Sequence, residues 1–235
     1  MKMDLHIHTH FSRTKRWGSA SLIEPKQLLD RIVELGLDGL AVTDHDEIEG
    51  SLLVAELAPQ WGLLAVPGIE ISAKGGHILG LGITEMVPKG LSPRETIERI
   101  HDLGGIAVAA HPLNIFVSLR LNDVISLPLD ALETHNSRSL RNRKSSRLSY
   151  RLKIGQTGGS DAHSINEIGT GLTETPNRCK TYQDLITQVV KRHTVGHGRR
   201  GRYSRIAREC IHTAAKQKRE QIRDKVLVSL GIRVA

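Results

Sequence analysis

The sequence predicts an α/β protein built as a (β/α) barrel with a basic helical extension at its C-terminus. Helical stretches of 3.6-residue periodicity alternate with short apolar strands. Ligand-type side chains recur just past the carboxyl ends of those strands. Charge divides the chain into a slightly acidic body and a strongly basic tail. Alternation implies a largely parallel sheet. An open doubly wound sheet gathers loops from about two strands at its switch point, whereas at least six strands contribute here, so a closed or nearly closed sheet is expected.

A chain of 235 residues is ordinary for one such barrel. Hydrophobic residues make up 39% and aromatics only 3%, so the core is expected from Leu, Ile, Val and Ala. There is no apolar run long enough to span a membrane. A strand opening by residue 3 leaves no room for a leader, and we expect a cytoplasmic protein. The two cysteines, Cys179 and Cys210, are too few for a disulfide framework or a thiolate zinc site. Residues 1–190 carry 20 Lys and Arg against 22 Asp and Glu, whereas residues 191–235 carry 13 against 3.

The first strand contains Asp4-Leu5-His6-Ile7-His8. Residues i and i+2 of a strand share a face, so His6 and His8 converge as half of a metal site. A helix marked by Leu28, Leu29, Ile32 and Val33 stops at Gly36, and the strand 39–43 delivers Asp44-His45-Asp46. Residues 50–58 read as helix, followed by 63–66, the turn Pro67-Gly68, and Ile69-Glu70-Ile71. Gly75-Gly76 precedes His77. Ser92-Pro93-Arg94-Glu95 is a capping box with proline at the first helical position. The strand 106–110 delivers His111, and the next delivers Glu133-Thr134-His135-Asn136. A basic helix over about 139–153 follows, and the strand near Gln156 delivers Gly159-Ser160-Asp161-Ala162-His163. Thr181 caps a last helix ending near Lys191. Beyond it Gly196, Gly198 and Gly201 mark a boundary, giving a barrel over 1–195 and an extension over 196–235.

The strand ends thus gather His6, His8, His45, Glu70, His77, His111, Asp161 and His163 as metal-ligand candidates. Histidine with carboxylate and without thiolate suits Zn, Mn or Fe, and eight ligands suit more than one ion. A carboxylate bridges two ions as an imidazole cannot, so Glu70 is the candidate bridge.

These motifs, in this order, resemble the PHP (polymerase and histidinol phosphatase) superfamily of metal-dependent phosphoesterases. The resemblance covers roughly residues 3–190. It implies a distorted (β/α)7 barrel with two or three divalent metals. It places one metal on His6, His8, Glu70 and Asp161, a second on Glu70, His77 and His111, and a third on His45, His163 and a loop ligand. Where the family carries that loop ligand this chain has Ser12-Arg13-Thr14, with His10 as the nearby substitute.

The expected activity is phosphoester hydrolysis by metal-activated water on a small phosphate monoester, a nucleotide or a nucleic-acid end. Glu70, His45 and His163 are the catalytic candidates, His45 or His163 as proton donor to the leaving alkoxide if the third metal is absent. Arg13, Arg138 and Arg141 are the candidates for binding substrate phosphate. The competing expectation is a nucleic-acid-binding or RNA-processing subunit on a PHP-like barrel; retention of the ligands favours the enzyme. In the tail Ile206, Cys210 and Ala214, then Ile222, Val226 and Leu230, recur every four residues. That spacing makes one apolar stripe on a basic helix. It is expected to dock on the barrel or on a second copy, in the latter case forming a homo-oligomer.

Overall fold

The computed structural model describes residues 1–12, 21–114 and 118–199. The element order is β1 Lys2–Ile7, α1 Pro25–Glu34, β2 Gly39–Val42, α2 Glu49–Leu57, β3 Leu64–Val66, β4 Gly68–Ala73, β5 Gly76–Leu81 and α3 Pro93–Asp102. There follow β6 Ile106–Ala109, α4 Leu121–Ser126, β7 Ala131–Asn136, α5 Asn142–Leu152, β8 Gly155–Gly159, β9 Gly171–Glu174, α6 Tyr182–Val190 and β10 Val195–Gly198.

Local chemistry sets the helices. Pro25 opens α1, whose inner face is Leu28, Leu29 and Ile32; Gly36, at φ +64, ends it. Ser92 and Glu95 form the expected reciprocal capping box on α3. Thr181 forms another with Asp184 on α6. In β1 both faces are buried, Leu5 and Ile7 as well as Asp4 and His6, as in strands covered on both sides. Aliphatic side chains fill the core: Ile69, Ile71, Ile78, Ile97 and Ile100 pack together under α3.

The strands form two five-stranded sheets, in the orders β10-β9-β1-β2-β3 and β4-β5-β6-β7-β8. Only half of the pairings are parallel, where a largely parallel sheet was expected. The pairs β1/β2, β2/β3, β6/β7 and β7/β8 run parallel. The pairs β4/β5, β5/β6, β1/β9 and β9/β10 run antiparallel. The reason is the short connection: β4 and β5 meet through Lys74-Gly75 alone, and a parallel crossover needs a dozen or more residues.

The two sheets touch through isolated parallel bridges, Ile7 with Ala162 and His45 with Glu70. At the first seam the His8 N–H donates to the Ala162 carbonyl (3.0 Å) and the Asp161 N–H to the His6 carbonyl (2.8 Å). At the second the Asp46 N–H donates to the Glu70 carbonyl (2.9 Å), and the Glu70 N–H to the Asp44 carbonyl (3.1 Å). The wall is therefore two sheets pinned at their carboxyl ends.

Glycines let β9 and β10 lie against β8. A Cβ at Gly158 would collide with the Leu172 carbonyl, one at Gly171 with the Gly159 carbonyl, and one at Gly196 with the Thr157 carbonyl. Gly196 and Gly198 thus belong to a strand, and β10 crosses the expected boundary between 195 and 196. The expected tail helix, with Cys210 and its apolar stripe, lies outside the described residues, as do Arg13 and Thr14. Among the described residues, no helix is long and apolar enough to cross a membrane.

Candidate metal centre

Each of the eight ligand candidates is delivered by a strand end or a strand close to a seam. His6 lies in β1 with His8 just beyond it; Glu70 lies in β4 and His77 in β5; His45, His111, Asp161 and His163 follow β2, β6 and β8. Asp161 and His111 hold positive φ values of 56° and 30°. Such backbone is disfavoured for residues with a Cβ and clusters at functional sites.

The structure brings all eight together around Glu70. Its Oε1 is 2.8 Å from His77 Nδ1 and 3.0 Å from His111 Nε2. Its Oε2 is 3.0 Å from His45 Nδ1, 3.3 Å from His8 Nε2 and 3.4 Å from His6 Nε2. Asp161 Oδ1 is 3.3 Å from His8 Nε2 and 3.7 Å from His6 Nε2, and those two nitrogens are 3.2 Å apart. His163 lies next to Asp161 and stacks near His8, their ring centroids 4.3 Å apart. Three groups hold their ligand atoms within 4.8 Å of one another: His6, His8 and Asp161; His45, Glu70 and His77; His8, His45 and His163.

The residues fit divalent cations. Ligand atoms around a tetrahedral ion with bonds of 2.0–2.1 Å stand about 3.3 Å apart, and His6, His8, Glu70 and Asp161 are spaced on that scale. Glu70 Oε2 and His163 Nε2 are buried with no hydrogen-bond partner, a costly arrangement unless a further group is bound. The donors are imidazole nitrogens and carboxylate oxygens.

Charge is organised around the same atoms. Burial works to lower the His6 pKa, but Glu133, Asp161 and Glu70 outweigh it and hold His6 well above the usual range. His8 and His111 are likewise raised against burial, by Asp161 and Glu70 for the first and by Glu70 for the second. Burial would raise Glu70, but His45, His77 and His6 keep it ionised well below the usual range. Asp161 is also lowered against burial, mainly by His6. Burial pushes His45 down to about 3, and burial followed by the Arg138 charge lowers His163 strongly. Burial thus favours the neutral form of both rings, the form that ligates a cation.

A supporting layer, absent from the sequence-based site list, fixes these ligands. Glu133 Oε1 is 2.9 Å from His6 Nδ1, while its Oε2 accepts the His111 N–H and an Asn136 amide proton. Asn136 also donates to Asp161 Oδ2 (3.2 Å). With Nδ1 held by Glu133, His6 turns Nε2 toward Asp161 and Glu70. Asp44 accepts the N–H and hydroxyl of Thr9, both at 2.6 Å. Asp4, raised to about 6 by burial, accepts the N–H groups of Ser160 and Gly169. Asn136 ends β7 and Glu133 lies within it; the sequence marks both as delivered by that strand but does not show which candidate each supports.

His10 stays out of the centre: its Nδ1 lies 3.4 Å from Glu24 and its side chain is 37% exposed. The loop after β1 contributes Ser12 instead, whose Oγ accepts the His45 N–H at 2.9 Å and lies 3.4 Å from His8 Nδ1. Arg138 donates to both oxygens of Glu167, at 3.0 and 2.9 Å, and Glu167 also accepts the His163 N–H. Arg138 therefore braces the loop bearing His163. Arg141 is half-buried at the start of α5, its N–H donating to Ser139 Oγ.

The chain is similar to known proteins in sequence and in fold. A family model described as PHP-associated matches residues 139–194. An uncharacterized protein of Methanocaldococcus jannaschii is 38% identical over 141 residues, spanning 58% of this chain and 82% of that one. A 3',5'-nucleoside bisphosphate phosphatase of Chromobacterium violaceum is 36% identical over 117 residues, 46% of this chain and 39% of that one. In structure, the chain is similar to a two-domain protein of Bacteroides vulgatus containing a predicted PHP-like metal-dependent phosphoesterase. The TM-score is 0.70 at 17% identity, over 85% of this chain and 65% of the other. The chain belongs to the PHP superfamily.

Proposed function

We propose that this protein is a divalent-metal-dependent phosphoesterase acting on a small phosphate monoester or a nucleotide. The observation that carries the reading is Glu70, with one oxygen facing His77 and His111 and the other facing His6, His8 and His45. His6, His8, Glu70 and Asp161 would hold one ion, Glu70, His77 and His111 a second, and His45 and His163 a third, with Ser12 beside it. Zn, Mn or Fe would suit this set. Such ions supply Lewis-acid stabilisation of phosphoryl oxygens and acidify water.

The chain's own residues do the rest. Glu133 and Asn136 hold His6 and Asp161 in place, burial keeps His45 and His163 unprotonated, and the Arg138–Glu167 pair fixes the loop that carries His163. Arg141 is the described cation assigned to the substrate phosphate, and Arg138, expected there from the sequence, is engaged by Glu167. The same reading takes β1, β2 and β4 to β8 as the staves of a distorted (β/α)7 barrel, supported by the two bridges between the sheets. The nucleotide preference draws on the Chromobacterium relative, which is named for a nucleoside bisphosphate.

The test is hydrolysis of p-nitrophenyl phosphate by the full chain with Mn²⁺. Glu70→Ala should lower turnover by about 10³-fold, the scale of losing one preorganised transition-state stabiliser, while circular dichroism stays unchanged. Turnover at the wild-type rate in Glu70→Ala would sink the assignment.

A further inference from the structure

We propose that the solvent face of α5 is a binding track for single-stranded nucleic acid, leading its phosphodiester backbone toward the metal centre. The inference rests on the phosphoesterase reading and names a substrate class for it. Arg143, Lys144, Arg147, Arg151 and Lys153 are all exposed, with no acidic residue between Arg138 and Lys153. None of these five cations has a carboxylate partner among the described residues. The body to residue 190 carries 20 basic against 22 acidic side chains, so the stripe is not a sample of general basicity.

The arrangement also works against the helix itself. A helix N-terminus favours acids, yet the first turn of α5 has none and there is no side-chain cap. Arg143 with Arg147, and Arg147 with Arg151, are like charges at i and i+4, a spacing that destabilises a helix when the charges match. A sequence that keeps both costs gains something outside the helix, and a polyanion removes the repulsion. Successive members of that series are about 6 Å apart along the axis, the scale of a nucleotide step in an extended strand.

Tyr150 lies on the same side of the helix and is 70% exposed in a chain with few aromatics. An exposed ring beside cations is what a stacked base requires. At the far end, Tyr150 and Lys153 line a hollow of about 400 Å³ shared with Lys191, Arg192 and His193. The near end reaches the centre: Asn136, at the end of β7, bonds Asp161, and Arg138 bonds the Glu167 that holds the His163 N–H. Leu148 on the inner face of α5 is buried, so its apolar side serves the core and none is left for lipid.

The experiment measures binding of a fluorescein-labelled 12-mer oligodeoxythymidylate to the full chain by anisotropy in EDTA, across a salt series. R143Q/R147Q/R151Q should bind at least about tenfold more weakly, and its slope of log K against log salt should fall by about two, as expected for three lost phosphate contacts on a single strand. The charge-conserving R143K/R147K/R151K should bind like wild type, and p-nitrophenyl phosphate turnover should be unchanged in both. Unchanged affinity and slope in the glutamine variant would overturn the track. So would loss of binding to phosphatidylserine vesicles with oligonucleotide binding intact. If the glutamine variant fails to fold, single R147Q and R151Q variants with wild-type affinity and slope overturn it equally. Oligonucleotide binding lost in the variants, with no phosphatase activity in wild type, would leave the track standing and remove the phosphoesterase reading.

Discussion

Glu133 shows what one side chain contributes without touching the ligand sphere. It sits 127 positions from His6 in sequence and fixes which ring nitrogen of His6 is free. Outer partners of this kind are worth about 10–100-fold in metal affinity. Glu133→Gln, which keeps the shape and loses the charge, should therefore weaken Zn²⁺ binding by about that factor in a chelator competition. Glu133→Gln with wild-type affinity would remove Glu133 from the supporting layer. At this scale the sequence was most legible where neighbours along the chain cooperate: His6 and His8 are two apart in one strand and were readable at once. Glu133 was not, because its partner is defined only when β7 faces β1. Burial likewise lowers the pKa of His45 and His163, which a sequence read without its fold does not reveal.

Elements with local signals were legible and those made by contact were not. Ser92-Pro93-Arg94-Glu95 announced α3 because its capping bonds are made within three residues. The strands β9 and β10 are four residues each and rich in glycine, with no alternation to mark them. Their glycines serve close approach, which a sequence reads equally well as a chain break. Gly159, the last residue of β8, is the case nearest the candidate centre, since a Cβ there would run into the backbone and Cβ of His6. Gly159→Ala should cost about 1–3 kcal/mol or more by overpacking and should displace His6. Gly36→Ala meets nothing within 4 Å but keeps φ at +64, and should cost about 1–2 kcal/mol through the left-handed backbone alone. Urea midpoints together with bound metal separate the two. Gly36→Ala should lose stability and keep its metal; a Gly159→Ala protein with normal metal content would contradict the packing argument.

For the whole molecule, the alternation of helix and strand pointed to the candidates that the structure gathers around Glu70, although His77 lies near the start of β5 and not past a strand's carboxyl end. It missed the division into two sheets, because hairpin connections and register shifts, such as the one between Glu133 and His135, depend on pairing partners. The concentrated charge makes proton and metal compete. His6, His8 and His111 have raised pKa values, so they gain protons above the usual imidazole pKa of about 6.5. In the metal-free protein their contribution to stability is complete below that pH and is lost as pH rises through their raised values. Ligation needs the neutral rings, so the metal-loaded protein has the opposite dependence. Adding Zn²⁺ at pH 7 in weak buffer should release at least about one proton per chain. Zinc uptake without proton release would contradict this.

The seam between β1 and the segment after β8 also dictates when the centre can exist. Asp4 is held by the N–H groups of Ser160 and Gly169, 156 and 165 positions away. His6 and His8 are synthesised well before Asp161 and His163, which follow only after most of the strands between them. A nascent chain therefore displays an imidazole pair, then a partial ligand set, long before it can enclose an ion. Capture of metal becomes a late event in the birth of the molecule, coupled to the closing of the seam between β1 and the segment after β8.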